Sequence, residues 1–340
     1  MADKMEERIE GQEPLIKRKR SRKTIGEEGG RKQTAIVFLV TLVLGFIFYL
    51  PKELGGWWQK LTAPEVITIE KPVGDAEDVS SVVGFKVKIN DRDDAAAAVE
   101  KLVGEVAGEF GVWVEELSGS KGSWGLDETN QFTAASVIKL PILVAYYEAV
   151  DEGRLDPETL YTLVEADRLE YGTGSLQHQP AGTRYSYREI AELTANQSDN
   201  MGAELLIKFL GGYAAVQRTV NSWGLSETDL RENLTTPQEM GDLLTRLYRG
   251  ELISEESRDE LFANLTNTLV EDRIPAGVPT GVKVVHKYGS EAGVVNDCGI
   301  VYADTPYVIC VLSQKVNAGE AEAVLPKISR VVWEWRAAAP

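Results

Sequence analysis

Residues 132–141 read FTAASVIKLP, and this stretch places a serine, Ser136, three residues before a lysine, Lys139. The stretch opens an apolar helical pattern. Residues three apart on a helix lie on one face, so the lysine amine can reach the serine oxygen. That geometry can turn a weak alcohol into a nucleophile. The same spacing also arises by chance on many protein surfaces, so its meaning depends on the rest of the chain.

The composition indicates a globular protein with an acidic body. Of its 340 residues, 43% are hydrophobic and 26% are charged, and the formal net charge is −17. These values are typical of a large folded domain with additional segments. An acidic body argues against nucleic-acid binding, which requires a basic face. The two histidines, His178 and His286, are too few for a usual multi-histidine zinc site. We expect neither a metal nor a cofactor.

The N-terminal segment has the pattern of a membrane anchor. Residues 34–50 are uncharged and mostly aliphatic or aromatic, at the short end of the length that spans a bilayer. A basic cluster at residues 17–23 precedes them, so the positive-inside rule places the N-terminus in the cytoplasm. We predict a cytoplasmic basic tail (1–33), a single-pass anchor in the cell membrane (34–50), a linker (51–93) and an extracytoplasmic globular domain (94–340). A cleaved signal peptide is the alternative.

Sequence patterns beyond residue 94 predict an α+β fold. A helix and a strand come first, a long helical middle follows, and strands return before a final helix. This order predicts an antiparallel sheet built from both chain ends and flanked by helices, with an inserted all-α region. The predicted helices are 95–109, 187–196, one beginning at 237, 254–265 and 320–335, and the predicted strands are 112–117, 282–287, 299–302 and 307–312.

The two cysteines, Cys298 and Cys310, lie symmetrically about Asp304, the turn between the last two predicted strands. The hairpin would therefore place them opposite each other. An extracytoplasmic location permits a disulfide. Two buried free cysteines are equally compatible with the pattern, because a free cysteine behaves as a small hydrophobe.

Two further motifs accompany the serine–lysine pair. Ser198-Asp199-Asn200 follows the helix at 187–196, and Lys287-Tyr288-Gly289 lies on a predicted strand. A Ser-x-x-Lys, a Ser-Asp-Asn and a Lys-x-Gly in this order are the signatures of penicillin-recognising serine enzymes. From about residue 95 to 336 the chain therefore resembles the class A β-lactamase and penicillin-binding-protein superfamily. Further similarities are Gly172-Thr173-Gly174-Ser175-Leu176 and Thr235-Thr236-Pro237.

The resemblance implies a β-lactamase/transpeptidase-like fold and a serine hydrolase that opens β-lactam amides through an acyl-serine intermediate. Ser136 would be the nucleophile. Lys139 would take its proton if burial and the nearby Lys287 lower the lysine pKa. Ser198 would relay a proton to the leaving nitrogen, and Lys287 would help to polarise Ser198. The resemblance implies no cofactor, and we expect a monomeric catalytic domain.

Substrate contacts are also implied by the resemblance. Asn200 would hold the substrate amide, Lys287 would bind its carboxylate, and the backbone N–H groups of Ser136 and Ser290 would form an oxyanion hole. The family's usual Lys-Thr-Gly or Lys-Ser-Gly is altered here, because a bulky phenol, Tyr288, replaces a small hydroxyl. We therefore expect carboxylate recognition to change. The predicted substrate-binding residues are Asn200, Tyr288, Gly289 and Ser290.

The loop that carries the deacylating glutamate in class A enzymes is shortened in this sequence. Class A enzymes have a Glu-x-x-Leu-Asn motif before the Thr-Thr-Pro region, and its glutamate activates the water that frees the acyl-enzyme. Here Glu227 begins a partial copy of that motif, with arginine in place of asparagine, and Glu232 is the other candidate. Each glutamate could equally be a solvated surface charge, because a general base must lie within reach of the attacking water before its pKa matters.

Loss of that base would leave acylation intact and slow deacylation. The chain would then be a penicillin-binding D,D-peptidase or transpeptidase that acts on peptidoglycan stem peptides. A non-catalytic sensor of wall peptides or β-lactams is a third alternative. The expected partners are therefore a small β-lactam or a peptidoglycan peptide, together with the membrane through the N-terminal helix.

Overall fold

A computed structural model describes residues 89–119, 121–170 and 172–337. The predicted cytoplasmic tail, the membrane anchor and nearly all of the linker lie outside the described residues. Within the described ranges, no helix is both long and apolar enough to cross a bilayer.

Five antiparallel strands form the main sheet, in the order β2-β1-β9-β8-β7. The first two strands come from the N-terminal side of the described region and the other three from the C-terminal side. The predicted antiparallel sheet from both chain ends is therefore confirmed. The strands, including those of two small two-stranded sheets, are β1 (Glu109–Glu116), β2 (Ser123–Leu126), β3 (Phe132–Thr133), β4 (Leu160–Thr162), β5 (Arg184–Ser186), β6 (Leu234–Thr235), β7 (Val284–Glu291), β8 (Val294–Val301) and β9 (Tyr307–Gln314).

Strands β7 and β8 are longer than their apolar runs predicted. The prediction for β8 began at Gly299, but the strand begins at Val294 and includes Asn296 and Asp297, which are fully buried. Apolar patterns predict too short a strand here because buried polar residues interrupt the apolar run. Pairing with the neighbouring strands overrides that local signal.

Strand register places the two cysteines directly opposite each other, with Cys298 paired to Cys310 across β8 and β9. The structure joins them in a disulfide. Of the two alternatives that the sequence leaves open, the structure contains the disulfide.

Helices cover both faces of the sheet. They are α1 (Arg92–Gly104), α2 (Lys139–Asp151), α3 (Tyr187–Asn196), α4 (Asn200–Phe209), α5 (Tyr213–Ser222), α6 (Pro237–Tyr248), α7 (Glu255–Asn264) and α8 (Ala318–Ala337). Helices α1 and α8 share one hydrophobic core with the sheet, and α2 to α7 share a second. The α+β architecture with an inserted helical region is therefore confirmed.

Helices α1 and α8 differ from their predicted bounds, 95–109 and 320–335. Helix α1 ends at Gly104 rather than 109, because glycine is a poor helix former and the chain must reach the sheet by Glu109, which pairs with Gln314. Helix α8 begins at Ala318 and continues through Pro326 to Ala337.

Helix α2 is central to the helical region and positions the site. Nearly all of its residues are buried, so it is apolar on every side rather than amphipathic. Burial of an aliphatic side chain such as Leu140 or Leu143, both fully buried, contributes about 1.5–3 kcal/mol. This packing holds the first residue of the helix, Lys139, at the junction with the sheet.

Candidate active site

Ser136 lies in a 3-10 turn, Ala135–Ile138, directly before helix α2. The sequence predicted an α-helix that starts at this serine, whereas the α-helix begins at Lys139. Side chains three residues apart eclipse each other in a 3-10 turn, so the tighter geometry brings the lysine over the serine. Ala135 has a φ of +47°, a strained value for a residue other than glycine and a feature that clusters at functional sites.

Three backbone contacts hold this turn in place. The amide of Ala134 donates to the carbonyl of Asn233 at 2.8 Å. The side-chain amide of Asn296, buried on β8, donates to the carbonyls of Thr133 at 2.8 Å and Ala134 at 3.0 Å. The turn is therefore tied both to the segment before β6 and to the main sheet.

The amine of Lys139 connects two of the predicted motifs. Its Nζ donates to Ser136 Oγ at 3.0 Å and to Ser198 Oγ at 3.2 Å. It also donates to the carbonyl oxygen of Ser198 and to Asn200 Oδ1, each at 2.6 Å. The side chain is only 5% exposed. Burial lowers the pKa of Lys139 to about 8, although the charge of Asp199 opposes the shift.

The Ser198-Asp199-Asn200 turn has a structural as well as a chemical role. Asp199 is fully buried, caps helix α4 by accepting from Gly202 N at 2.9 Å, and accepts from Leu176 N at 2.8 Å. Asp199 is therefore the N-cap residue of this helix. Ser198 has a φ of +57°, and this left-handed conformation accompanies the approach of its hydroxyl to the lysines.

Lys287, on β7, reaches the same hydroxyl from the sheet. Its Nζ donates to Ser198 Oγ at 2.9 Å and to the carbonyl of Tyr288 at 3.1 Å. The side chain is fully buried. Burial lowers the pKa of Lys287 well below its ordinary value, and the charges of Lys139 and Arg273 lower it further, whereas Asp297 opposes them.

Gly289 brings strand β7 against the nucleophile turn. A Cβ at this position would lie 2.8 Å from the backbone nitrogen of Ser136 and 3.0 Å from the carbonyl of Ala134. Only glycine allows the strand to approach so closely. The next residue, Ser290, is exposed at the rim, and its Oγ accepts from Arg273 Nη2 at 2.5 Å. The residues predicted to supply the oxyanion hole therefore lie on two segments in contact.

Arg273 was not identified from the sequence. It lies between α7 and β7 and is 3% exposed. Its Nη1 donates to the carbonyls of Gly289 at 3.0 Å and Asn296 at 2.8 Å. A lone arginine in a loop carries no recognisable motif, so only the folded chain places it beside the Lys-x-Gly strand.

His286 forms a second buried polar cluster beneath the site. Its Nδ1 lies 2.8 Å from Asp297 Oδ1, and its Nε2 lies 3.2 Å from Glu271 Oε1. Burial alone would lower the pKa of His286, but the charges and hydrogen bonds of Asp297 and Glu271 outweigh it and raise the pKa to about 9. Among the residues that the structure describes, the hydrogen bonds of the imidazole go to Thr268, Asp297 and Glu271 rather than to Ser136 or Lys139. The described residues contain no cluster of acidic, histidine and cysteine side chains with the arrangement of a metal site.

The two candidate deacylating glutamates lie on the segment before β6. The amide of Glu227 donates to Glu239 Oε1 at 2.8 Å, and the amide of Glu232 donates to Asp229 Oδ1 at 2.9 Å. Both side chains are exposed. Among the residues that the structure describes, neither carboxylate forms a hydrogen bond or ion pair with Ser136 or Lys139. That Glu227 or Glu232 acts as the deacylating base stays a prediction.

Known proteins are similar to this chain in sequence and in fold. The family model described as Beta-lactamase enzyme family matches residues 94–336. Beta-lactamase VEB-1 of Pseudomonas aeruginosa is 23% identical over 271 residues, which cover 72% of this chain and 90% of that relative. The structure of PBP-A aligns with a TM-score of 0.67 at 29% identity and covers 74% of this chain and 98% of PBP-A. A PBP-A mutant, solved as an acyl-enzyme complex with penicillin G, aligns with a TM-score of 0.68 at 29% identity, with the same coverage.

The matched region spans most of the chain and contains the three motifs and every side chain of the site. The chain therefore belongs to the Beta-lactamase enzyme family.

Proposed function

We propose that this serine hydrolase opens β-lactam amides by forming an acyl-enzyme at Ser136. The contact between Lys139 Nζ and Ser136 Oγ at 3.0 Å, shared with Ser198 Oγ at 3.2 Å, is the observation that carries the proposal. A nucleophile within hydrogen-bond reach of an oriented base is the arrangement that nucleophilic catalysis requires. The acyl-enzyme of the PBP-A mutant with penicillin G supports this chemistry on the same fold.

Acylation follows from these contacts. Ser136 Oγ attacks the lactam carbonyl carbon, and its proton passes to the neutral form of Lys139. A pKa of about 8 leaves an appreciable neutral fraction of this lysine near pH 7. The carbonyl C–N bond then breaks, and the leaving nitrogen takes the hydroxyl proton of Ser198. Lys139 returns the first proton to Ser198 across their hydrogen bond, so both groups regain their starting protonation state.

Lys287 supports the relay without entering the proton cycle. Its donation to Ser198 Oγ at 2.9 Å orients the hydroxyl and makes its proton easier to transfer. Asn200 accepts from Lys139 through Oδ1, which leaves its side-chain NH2 group available to a substrate carbonyl. Hydrolysis is completed when water attacks the acyl ester and releases Ser136.

A penicillin-binding D,D-peptidase with slow β-lactam release is the second candidate. The exposed placement of Glu227 and Glu232 favours it, because no carboxylate among the described residues contacts the nucleophile. Acylation needs no such group, but activation of the deacylating water does. With a β-lactam, the two candidates differ in the lifetime of the acyl-enzyme.

Covalent labelling tests the proposal. A fluorescent penicillin should label the protein, and Ser136→Ala should abolish the label. Ser226→Ala, at an exposed serine, is the matched control and should label normally. Absence of labelling in folded wild-type protein would overturn the proposal and favour the sensor alternative.

The lifetime of the adduct separates hydrolase from penicillin-binding protein. Intact-protein mass spectrometry after a short pulse of benzylpenicillin should show an adduct that decays as hydrolysed product accumulates. An adduct that persists for hours, with no turnover of a chromogenic cephalosporin, would exclude the β-lactamase and leave the peptidase.

We further propose that residues 34–50 anchor the chain in the cell membrane with the hydrolase domain outside. The Cys298–Cys310 disulfide supports an oxidising compartment, and the uncharged run after a basic cluster supports the anchor. Protease treatment of intact cells should digest the hydrolase domain, and the mature mass should include residues 34–50. A mature product that starts near residue 55–65 would exclude the anchor.

A further inference from the structure

Tyr288 places an aromatic ring beside two cationic side chains of the site. The ring centroid lies 4.3 Å from Lys287 Nζ and 5.8 Å from the guanidinium carbon of Arg273. Both distances are within the range of cation–π attraction. The side chain is 9% exposed, so the ring fills space within the site.

The side chains of Lys287 and Arg273 donate their hydrogen bonds to neutral oxygens. Lys287 donates to a hydroxyl and a carbonyl, and the hydrogen bonds of Arg273 go to two carbonyls and to Ser290 Oγ. Among the described residues, the carboxylate paired with Arg273 is the half-exposed Glu322, at 3.9 Å. The buried Asp297 is bound to the imidazole of His286 and to a backbone amide.

A lysine and an arginine whose hydrogen bonds go to neutral oxygens normally attract an anion, since hydrogen bonds between charged groups are the strong ones. Here the π face of Tyr288 covers the same groups. Burial raises the pKa of Tyr288, so the phenol stays neutral and does not itself supply a negative charge. The ring therefore shields these cations without neutralising them.

We propose that Tyr288 is a specificity-determining residue whose ring screens Lys287 and Arg273 from a substrate carboxylate, so that the site accepts neutral acyl donors nearly as well as acidic ones. The substrate class is then β-lactams or other activated amides that carry an ester or amide where penicillins carry a free carboxylate. This inference rests on the proposed function, because it concerns the substrate of the same site.

The test compares acylation by benzylpenicillin with acylation by its methyl ester, as the ratio of the two second-order rate constants. Wild-type protein should give an acid-to-ester ratio close to one. Tyr288→Thr removes the ring, and the ratio should rise about tenfold or more, the value of one regained charged hydrogen bond. Adding Arg273→Ala to Tyr288→Thr should cancel the rise.

Tyr288→Phe is the matched variant, because it keeps the ring and removes only the hydroxyl. It should retain the wild-type ratio. A fall of the ratio in Tyr288→Phe would overturn the proposal, since the hydroxyl would then be binding the carboxylate. An unchanged ratio in Tyr288→Thr would also overturn it.

A second measurement does not depend on acylation. Sulfate should raise the melting temperature of Tyr288→Thr relative to chloride at equal ionic strength, because a ligand that binds only the native state stabilises it. Wild type and Tyr288→Phe should show only the smaller, nonspecific stabilisation that sulfate gives any folded protein. If no β-lactam reacts with wild type, the proposed function fails, while the sulfate comparison still decides whether the ring screens an anion site. Equal sulfate responses in all three proteins would refute the screening.

Discussion

Replacement of His286 by glutamine should change how the stability of the protein depends on pH. The imidazole is fully buried and lies between Asp297, also fully buried, and Glu271, whose side chain is 41% exposed. The pKa of His286 is raised to about 9 from an ordinary value of 6.5. Because Glu271 is partly solvated, its contribution is screened, and Asp297 supplies most of the effect.

The magnitude follows from linkage between protonation and folding. A tenfold change in proton affinity corresponds to about 1.4 kcal/mol. The raised pKa of His286 therefore corresponds to roughly 3 kcal/mol in the free energy of unfolding. Between pH 6.5 and 9 the native protein holds a proton on His286 that the unfolded chain has released. The stabilisation is therefore fully present below pH 6.5 and is lost as the pH rises through 9.

Urea denaturation of wild type and His286→Gln at several pH values between 6 and 10 measures the effect. The difference in free energy of unfolding should be larger at pH 6 than at pH 10 by roughly 3 kcal/mol. Lys139 and Lys287, whose pKa values are lowered, change stability in the opposite sense. Both proteins contain them, so their contribution cancels in the difference.

The second histidine provides the control. His178 is exposed, and His178→Gln should leave the free energy of unfolding close to that of wild type. Asp297→Asn should flatten the pH dependence much as His286→Gln does, because it removes the main partner of the imidazolium. Parallel stability curves for wild type and His286→Gln across this range would refute the reasoning.

Three further outcomes are expected. Acylation should accelerate with pH through about 8 and then level off, because neutral Lys139 is the base; a flat stopped-flow labelling profile from pH 6 to 9 would contradict this. Reduction of the Cys298–Cys310 disulfide, whose cysteines are 12 residues apart, should cost about 3 kcal/mol in urea denaturation. Thiols that react in denatured, unreduced protein would show that the bond is absent. Gly289→Ala should slow acylation by about tenfold or more, because its Cβ would press on the nucleophile turn. Gly104→Ala is the control, because a Cβ at Gly104 would meet open space. Equal labelling rates for Gly289→Ala and Gly104→Ala would contradict this prediction.

Local sequence determined most of the architecture and the identity of the main site residues. Caps and apolar periodicity predicted helix α3 with its bounds and helix α7 within a residue at each end, since these signals act over a few residues. The three motifs identified Ser136, Lys139, Ser198 and Lys287 because their residue types and spacing carry the chemistry. The alternation of helices and strands also predicted a sheet assembled from both chain ends.

Only the tertiary structure decided how these groups act on one another. Arg273 and Asp297 lie on segments far in sequence from Ser136 and have no local signature. The lowered pKa of Lys139 comes from burial, the raised pKa of His286 from carboxylates on other segments, and the screening role of Tyr288 from two cations that the fold brings to its ring. Electrostatic energies depend on the distances between groups and on their burial in three dimensions. The sequence therefore identifies the chemical groups, whereas the fold determines their protonation states and the distances between them.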